Sequence, residues 1–149
     1  MTLHHLNNWK QYLTNDDYNY LIQFVENIKN NIHNDKMIIL SGPSRSGKST
    51  LKNDIQQYLS DVICGPMMMS GEIIYNENIK KLGLFSGIDE IRNSKKTNTA
   101  IINLIKYKQS LLADTNNIER VNNKLLEFSK IIKMEHVFYT VEDFNPHSG

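Results

Sequence analysis

Met37-Ile38-Ile39-Leu40-Ser41-Gly42-Pro43-Ser44-Arg45-Ser46-Gly47-Lys48-Ser49-Thr50-Leu51 is the stretch whose reading decides the fold. Four consecutive apolar residues after a polar break read as a short buried β-strand. Gly42-x-x-x-x-Gly47-Lys48-Ser49 then matches the phosphate-binding loop pattern in full. Past the loop, Leu51, Ile55, Tyr58 and Leu59 keep helical spacing to about Ser60. Strand, glycine loop and helix in that order make an anion cradle. Backbone N–H groups wrap the phosphates, the helix offers its positive N-terminal end, and glycine lets the backbone approach. The residues expected at the nucleotide are Gly42, Ser44, Arg45, Ser46, Gly47, Lys48, Ser49 and Thr50. In this pattern Lys48 reaches the β- and γ-phosphates, the Ser49 hydroxyl ligates Mg2+, and Thr50 adds a contact to the α-phosphate.

Such a loop needs an acid to hold the metal through water, and often a second acid to orient or deprotonate the attacking water. Asp89-Glu90 supplies both at the end of a candidate strand within Lys81–Ile91, and open α/β sheets place their ligands at such strand ends. Toward the C-terminus, His136–Val141 reads as a last β-type run. Thr140 near its end is the candidate γ-phosphate sensor, although threonine also favours strands for propensity alone. Arg45, Arg92 and Arg120 are the arginines of the chain. Any of them can neutralise transition-state charge, within one subunit or across a ring interface. Lys95-Lys96, Lys106 and Lys108, with Tyr107 between the last two, form a basic cluster with an aromatic, as single-strand binding uses. A solvated helical face is the commoner role for such lysines.

Before the loop, Leu21, Phe24, Val25 and Ile28 predict a helix from about Asn15 to about Asn31. Thr14 and Asp17 stand at capping-box spacing at its start. His33-Asn34-Asp35-Lys36 separates this helix from the strand. After the loop helix, Met67-Met68-Met69 reads as core filling or a strand edge in preference to a binding surface, and Glu72–Tyr75 as a strand. Helices are expected over Asn98–Ala113 and Ile118–Lys133, with a frayed tail over Asn145–Gly149. The fold class is therefore α/β, a parallel sheet flanked by helices. It divides into a helical N-terminal extension over residues 1–35 and a nucleotide core over 36–149.

Composition agrees with one ordinary domain. The chain has 149 residues, 40% of them hydrophobic and 22% charged, which excludes a chain disordered throughout. The net charge of +1 carries no bulk argument for a polyanionic partner. One cysteine, Cys64, can form neither an internal disulfide nor a thiolate zinc site. The longest apolar runs fall far short of the roughly 20 residues that cross a bilayer, and the N-terminus has no signal-peptide core. The expectation is an intracellular, cytoplasmic protein with no membrane contact.

The order of these motifs resembles the superfamily 3 helicases, particularly the helicase part of the primase-helicases of large nucleocytoplasmic DNA viruses. The residues that carry it are Asn34 to Leu51, then Asp89-Glu90, then the run ending at Thr140, about two-thirds of the chain. The resemblance implies an AAA+-type sheet, ATP and Mg2+ as cofactors, and a hexameric ring or a partner replication protein around single-stranded DNA in a host cytoplasm. It gives Lys48 and Ser49 the phosphate and metal roles, Asp89 the metal-water role and Glu90 the catalytic acid/base role. The segment around Lys106 and Lys108 is the counterpart of the family's DNA-contacting segment. Thr140 stands where the family's third motif usually ends in asparagine, and the chain is expected to stop before a fifth strand and the arginine finger. The loop also resembles that of guanylate kinases, with a partial echo in Gly71-Glu72 and Tyr75 but no arginine between Arg45 and Arg92. A third alternative is a nucleotide-binding protein without turnover.

Overall fold

The computed structural model describes residues 4–59, 68–69, 85–89, 95, 98–99, 101–102 and 110–138. The predicted strand is β1 (Met37–Ser41), buried from Met37 to Leu40. It is flanked by β4 (Ser110–Thr115) on one side and β5 (Ser129–Lys133) on the other. Outside β4 lie β3 (Phe85–Asp89) and then β2 (Met68–Met69). The order is β2-β3-β4-β1-β5 and every pairing is parallel. Parallel strands covered on both faces read as unbroken apolar runs, and β1 does so because its alternate residues serve two cores. Ile38 and Leu40 pack with Leu112 and Ile132 beneath α2 (Asn15–Lys29) and α3 (Lys48–Tyr58). Ile39 and Met37 pack on the opposite face with Ile101, Leu111, Ala113, Val121 and Leu125.

The N-terminal segment belongs to the first of these cores. Leu6 of α1 (His4–Asn7), Trp9 of the following 3-10 turn, and Leu21, Phe24, Val25 and Ile28 of α2 share one apolar cluster with β1 and α3. The face of α2 predicted from spacing is the buried one. Its Thr14 cap is also as expected, with the hydroxyl accepting from the Asp17 N–H at 3.1 Å. Asp17 does not reciprocate as in a capping box; its carboxylate pairs with Lys130 of β5 at 3.0 Å. At the other end, Asn31 N–H donates to the Ile28 carbonyl and Ile32 N–H to the Asn27 carbonyl. Asn31 itself is left-handed, with φ 61. This is the glycine-type helix stop, made here with asparagine. Burial raises the Tyr18 phenol above its usual 10.0. The stability its neutral form contributes is therefore held below pH 10 and lost as the pH rises past it.

The C-terminal half corrects the sequence reading. The helix expected over Ile118–Lys133 is instead a 3-10 turn (Ile118–Arg120), a short helix α4 (Asn123–Glu127) and the strand β5. Asn117 and Asn122 break it up, because each side chain accepts an N–H two residues on, from Glu119 at 3.0 Å and Lys124 at 2.8 Å. The helix expected over Asn98–Ala113 overran its end. Residues 98–99 and 101–102 are helical, whereas Ser110–Thr115 is a strand buried at every position. A strand buried on both faces has no alternation to distinguish it from a helix. Of the β-type run expected over His136–Val141, residues 136–138 are irregular and 139–141 lie outside the described residues. The last described strand is β5, so a fifth strand is present where none was expected. Met68-Met69 is a strand at the sheet edge, one of the two uses expected of the methionines. Glu72–Tyr75 lies outside the described residues. Among those described, no helix is long and apolar enough to cross a membrane.

Position 31 offers a direct test of the α2 stop. A β-branched residue in the left-handed region costs about 1–2 kcal/mol. Asn31→Val should lower the unfolding free energy by about that much in urea melts, while Asn31→Gly should leave it unchanged or slightly raise it.

Candidate nucleotide site

Backbone packing sets where the loop begins. Ser41 O accepts from Met134 N–H at 2.8 Å and Gly42 N–H donates to Thr115 O at 3.3 Å. The chain thus leaves β1 wedged between the ends of β4 and β5. A Cβ on Gly42 would overlap the Met134 carbonyl and come within 2.9 Å of Ser46 Oγ, so only glycine fits. Two residues beyond Pro43 the backbone turns left-handed at Arg45, φ 64, and it does so again at Gly47, φ 89, which caps α3. The Arg45 carbonyl accepts from Phe138 N–H at 2.9 Å, tying the loop to the segment after β5.

Inside this loop lies the Lys48 ammonium. It donates to the Gly42 carbonyl at 2.6 Å, the Pro43 carbonyl at 2.7 Å and Ser46 Oγ at 3.3 Å, and the residue is buried. The first intrahelical bond of α3 runs from Leu51 N–H to Gly47 O at 2.9 Å. The N–H groups of the first turn therefore have no acceptor within the helix. A buried cation beside a helix start, inside a loop that admits no side chain at position 42, fits a phosphate. Ser44, Arg45 and Ser49 are exposed on the loop and Thr50 is half-buried.

Of the two expected acids, the first lies on a strand of the sheet. Asp89 ends β3, and since Ile88 pairs with Ala113, Asp89 comes level with Asp114 of β4. Glu90, Thr140, Arg92, Lys106 and Lys108 lie outside the described residues. Beside the loop, at the end of β4, the structure has a different polar residue, Thr115, which is in register with Ser41. It is buried, and its hydroxyl donates to the Asn117 carbonyl at 3.0 Å and accepts the Asn117 N–H at 3.1 Å. Sequence reasoning passed over it. Its signal was Leu111-Leu112-Ala113 running straight into Asp114-Thr115-Asn116-Asn117, an apolar run with polar residues clustered at its end. Arg120 is exposed on the turn after β4. Lys95, Thr99, Glu119 and Lys124 line a cavity of about 680 Å³ to which the loop contributes no residue.

Polar contacts hold α3 along its length. The Lys52 ammonium meets the Asp114 carboxylate at 2.5 Å, and Trp9 Nε1 donates to Asp54 Oδ2 at 2.8 Å. Near the end of the helix, Tyr58 OH donates to Glu26 Oε1 at 2.7 Å and Lys29 Nζ donates to the Tyr58 carbonyl at 3.0 Å.

No protein-family model matches the sequence, and no curated protein does. Solved structures do. Two single-residue variants of RuvB from Thermotoga maritima superpose with TM-scores of 0.59 and 0.60 at 20% and 18% identity. The structure described as the Thermotoga maritima RuvB Holliday junction branch migration motor gives 0.56 at 21% identity, covering 89% of this chain and 48% of that one. The chain thus spans about half the length of these neighbours. The likeness is one of fold: an α/β P-loop NTPase fold of the AAA+ type.

If the loop is an anion cradle, Lys48→Ala should remove tight nucleotide binding, measured by titration of a fluorescent ATP analogue, while the melting temperature stays near that of the parent. Gly42→Ala should act differently, lowering the melting temperature because the new methyl meets backbone that cannot move aside.

Proposed function

We propose that this protein is an ATP-binding P-loop NTPase that hydrolyses ATP with Mg2+ and couples the hydrolysis to single-stranded nucleic acid, as a helicase-type motor. The observation that carries the proposal is the buried Lys48 ammonium inside the glycine loop, at the start of α3 and beside the polar end of β4. When nucleotide binds, Lys48 exchanges loop carbonyls for β- and γ-phosphate oxygens, and the Ser49 hydroxyl holds the metal. Bound Mg2+ supplies neutralisation of the charge that develops on the phosphoryl oxygens. Asp89 would hold that metal through water, and Glu90 would accept the proton of the attacking water. We assign the γ-phosphate sensor to Thr115 in preference to Thr140, because Thr115 is anchored within the sheet next to Gly42. Arg120, exposed beyond β4, is a candidate for the transition-state arginine in a ring of subunits, and Lys106 and Lys108 for the strand contact. The fold neighbours support a motor of this class, one of them being described as a branch migration motor.

Steady-state ATP hydrolysis with and without single-stranded DNA, beside the same assay with GMP as acceptor, tests this reading. Stimulation by the strand is the expected result. Phosphate transferred to GMP would move the protein to the kinase class, and binding without turnover would leave a nucleotide-binding protein. Glu90→Gln should leave ATP affinity nearly intact and slow hydrolysis at least tenfold, about 1.4 kcal/mol of barrier. Equal loss of both would make Glu90 structural.

A further inference from the structure

Lys52 lies one helical turn beyond Lys48 on α3 and is fully buried, as is its partner Asp114 apart from a trace of exposure. Asp114 sits immediately before Thr115, in register with Leu40, the residue two before the first loop glycine. It is also level with Asp89 on the adjoining strand, and strands in a sheet are about 4.8 Å apart. A carboxylate here stands beneath a loop built for phosphate and beside the acid expected to serve the metal. Its negative charge would repel the first and compete with the second. A buried ion pair adds little stability over apolar residues of the same volume. Stability is therefore a weak reason for this pair, and charge placement a strong one.

We propose that Lys52 is a positioning residue that neutralises Asp114, so that its charge neither opposes the phosphates at the loop nor competes with Ser49 and Asp89 for the nucleotide's metal. The inference rests on the nucleotide reading above and deepens it. Lys52 touches no substrate; it acts through Asp114 and through the level of β4 that carries Thr115.

Variants that break the pair from opposite sides separate charge from packing. Lys52→Met removes the positive charge of the pair, and Asp114→Asn removes the negative one. Both should lower the melting temperature, since each breaks a buried ion pair. Their effects on ATP binding, followed by calorimetry with and without Mg2+, should have opposite signs. Lys52→Met should weaken affinity about tenfold, and Asp114→Asn should leave it equal or tighter. The neutral pair K52Q/D114N should return affinity to within about twofold of the parent. Should Lys52→Met not fold, Asp114→Asn and the neutral pair still decide. Weaker ATP binding by Asp114→Asn, in step with its lost melting temperature, would reduce the pair to a structural contact and overturn the proposal. A parent protein that binds neither ATP nor inorganic triphosphate would overturn the nucleotide reading and this inference together. A parent that binds ATP, with both single variants equally weakened, would overturn this inference alone.

Discussion

There is no room for a side chain between the ends of β4 and β5, and the chain passes through that gap at Gly42. Hydrogen bonds from Gly42 N–H to Thr115 and from Met134 N–H to Ser41 clamp the backbone on both sides. Everything on the loop side of the sheet follows from this clamp. It sends the chain out over the carboxyl ends of the strands, where the left-handed turns at Arg45 and Gly47 curl it round the Lys48 ammonium and start α3. In parallel α/β sheets ligands gather at that edge, and here the geometry of a single glycine puts the loop there.

The helix that begins at the loop is held by buried polar contacts in addition to its apolar face. Lys52–Asp114 ties it to β4, Trp9–Asp54 ties it to the N-terminal segment, and Tyr58–Glu26 ties it to α2. Unpaired, such groups would each carry a desolvation cost, so the pairs restrict α3 to one register against its neighbours. The N-terminal helices therefore act as part of the support behind the loop: they share its apolar cluster and supply partners for Asp54 and Tyr58. A loop that must meet phosphate oxygens at hydrogen-bond distance depends on a helix that does not shift, because small misplacements at such sites are costly in rate.

The strand order explains how the polar end of β4 comes to matter. β4 lies between the loop strand β1 and the acid strand β3. The residues at its end, Asp114 and Thr115, are thus flanked by the loop on one side and by Asp89 on the other. A polar pair at that position stands between the two halves of the expected chemistry. The RuvB structures superpose on 89% of this chain, which covers about half of their length.

Local sequence determined the parts of the protein that depend on near neighbours in the chain. β1, the loop, α3, the Thr14 cap, the buried face of α2 and the strand ending at Asp89 were all legible, since each rests on spacing or on residue types within a few positions. The segments after Asn98 were not. β4 is buried on both faces and so shows no alternation. The two asparagine caps at Asn117 and Asn122 cut an apparently continuous helical pattern into a turn, a short helix and the strand β5. For the same reason Thr115 was passed over: nothing within its own stretch says that β4 inserts beside the loop strand. Which polar residue stands next to Gly42, which carboxylate Lys52 neutralises, and why position 42 tolerates no side chain are set by contacts between residues far apart in the chain. Only the tertiary structure decides them, because hydrogen bonds and charges act through space.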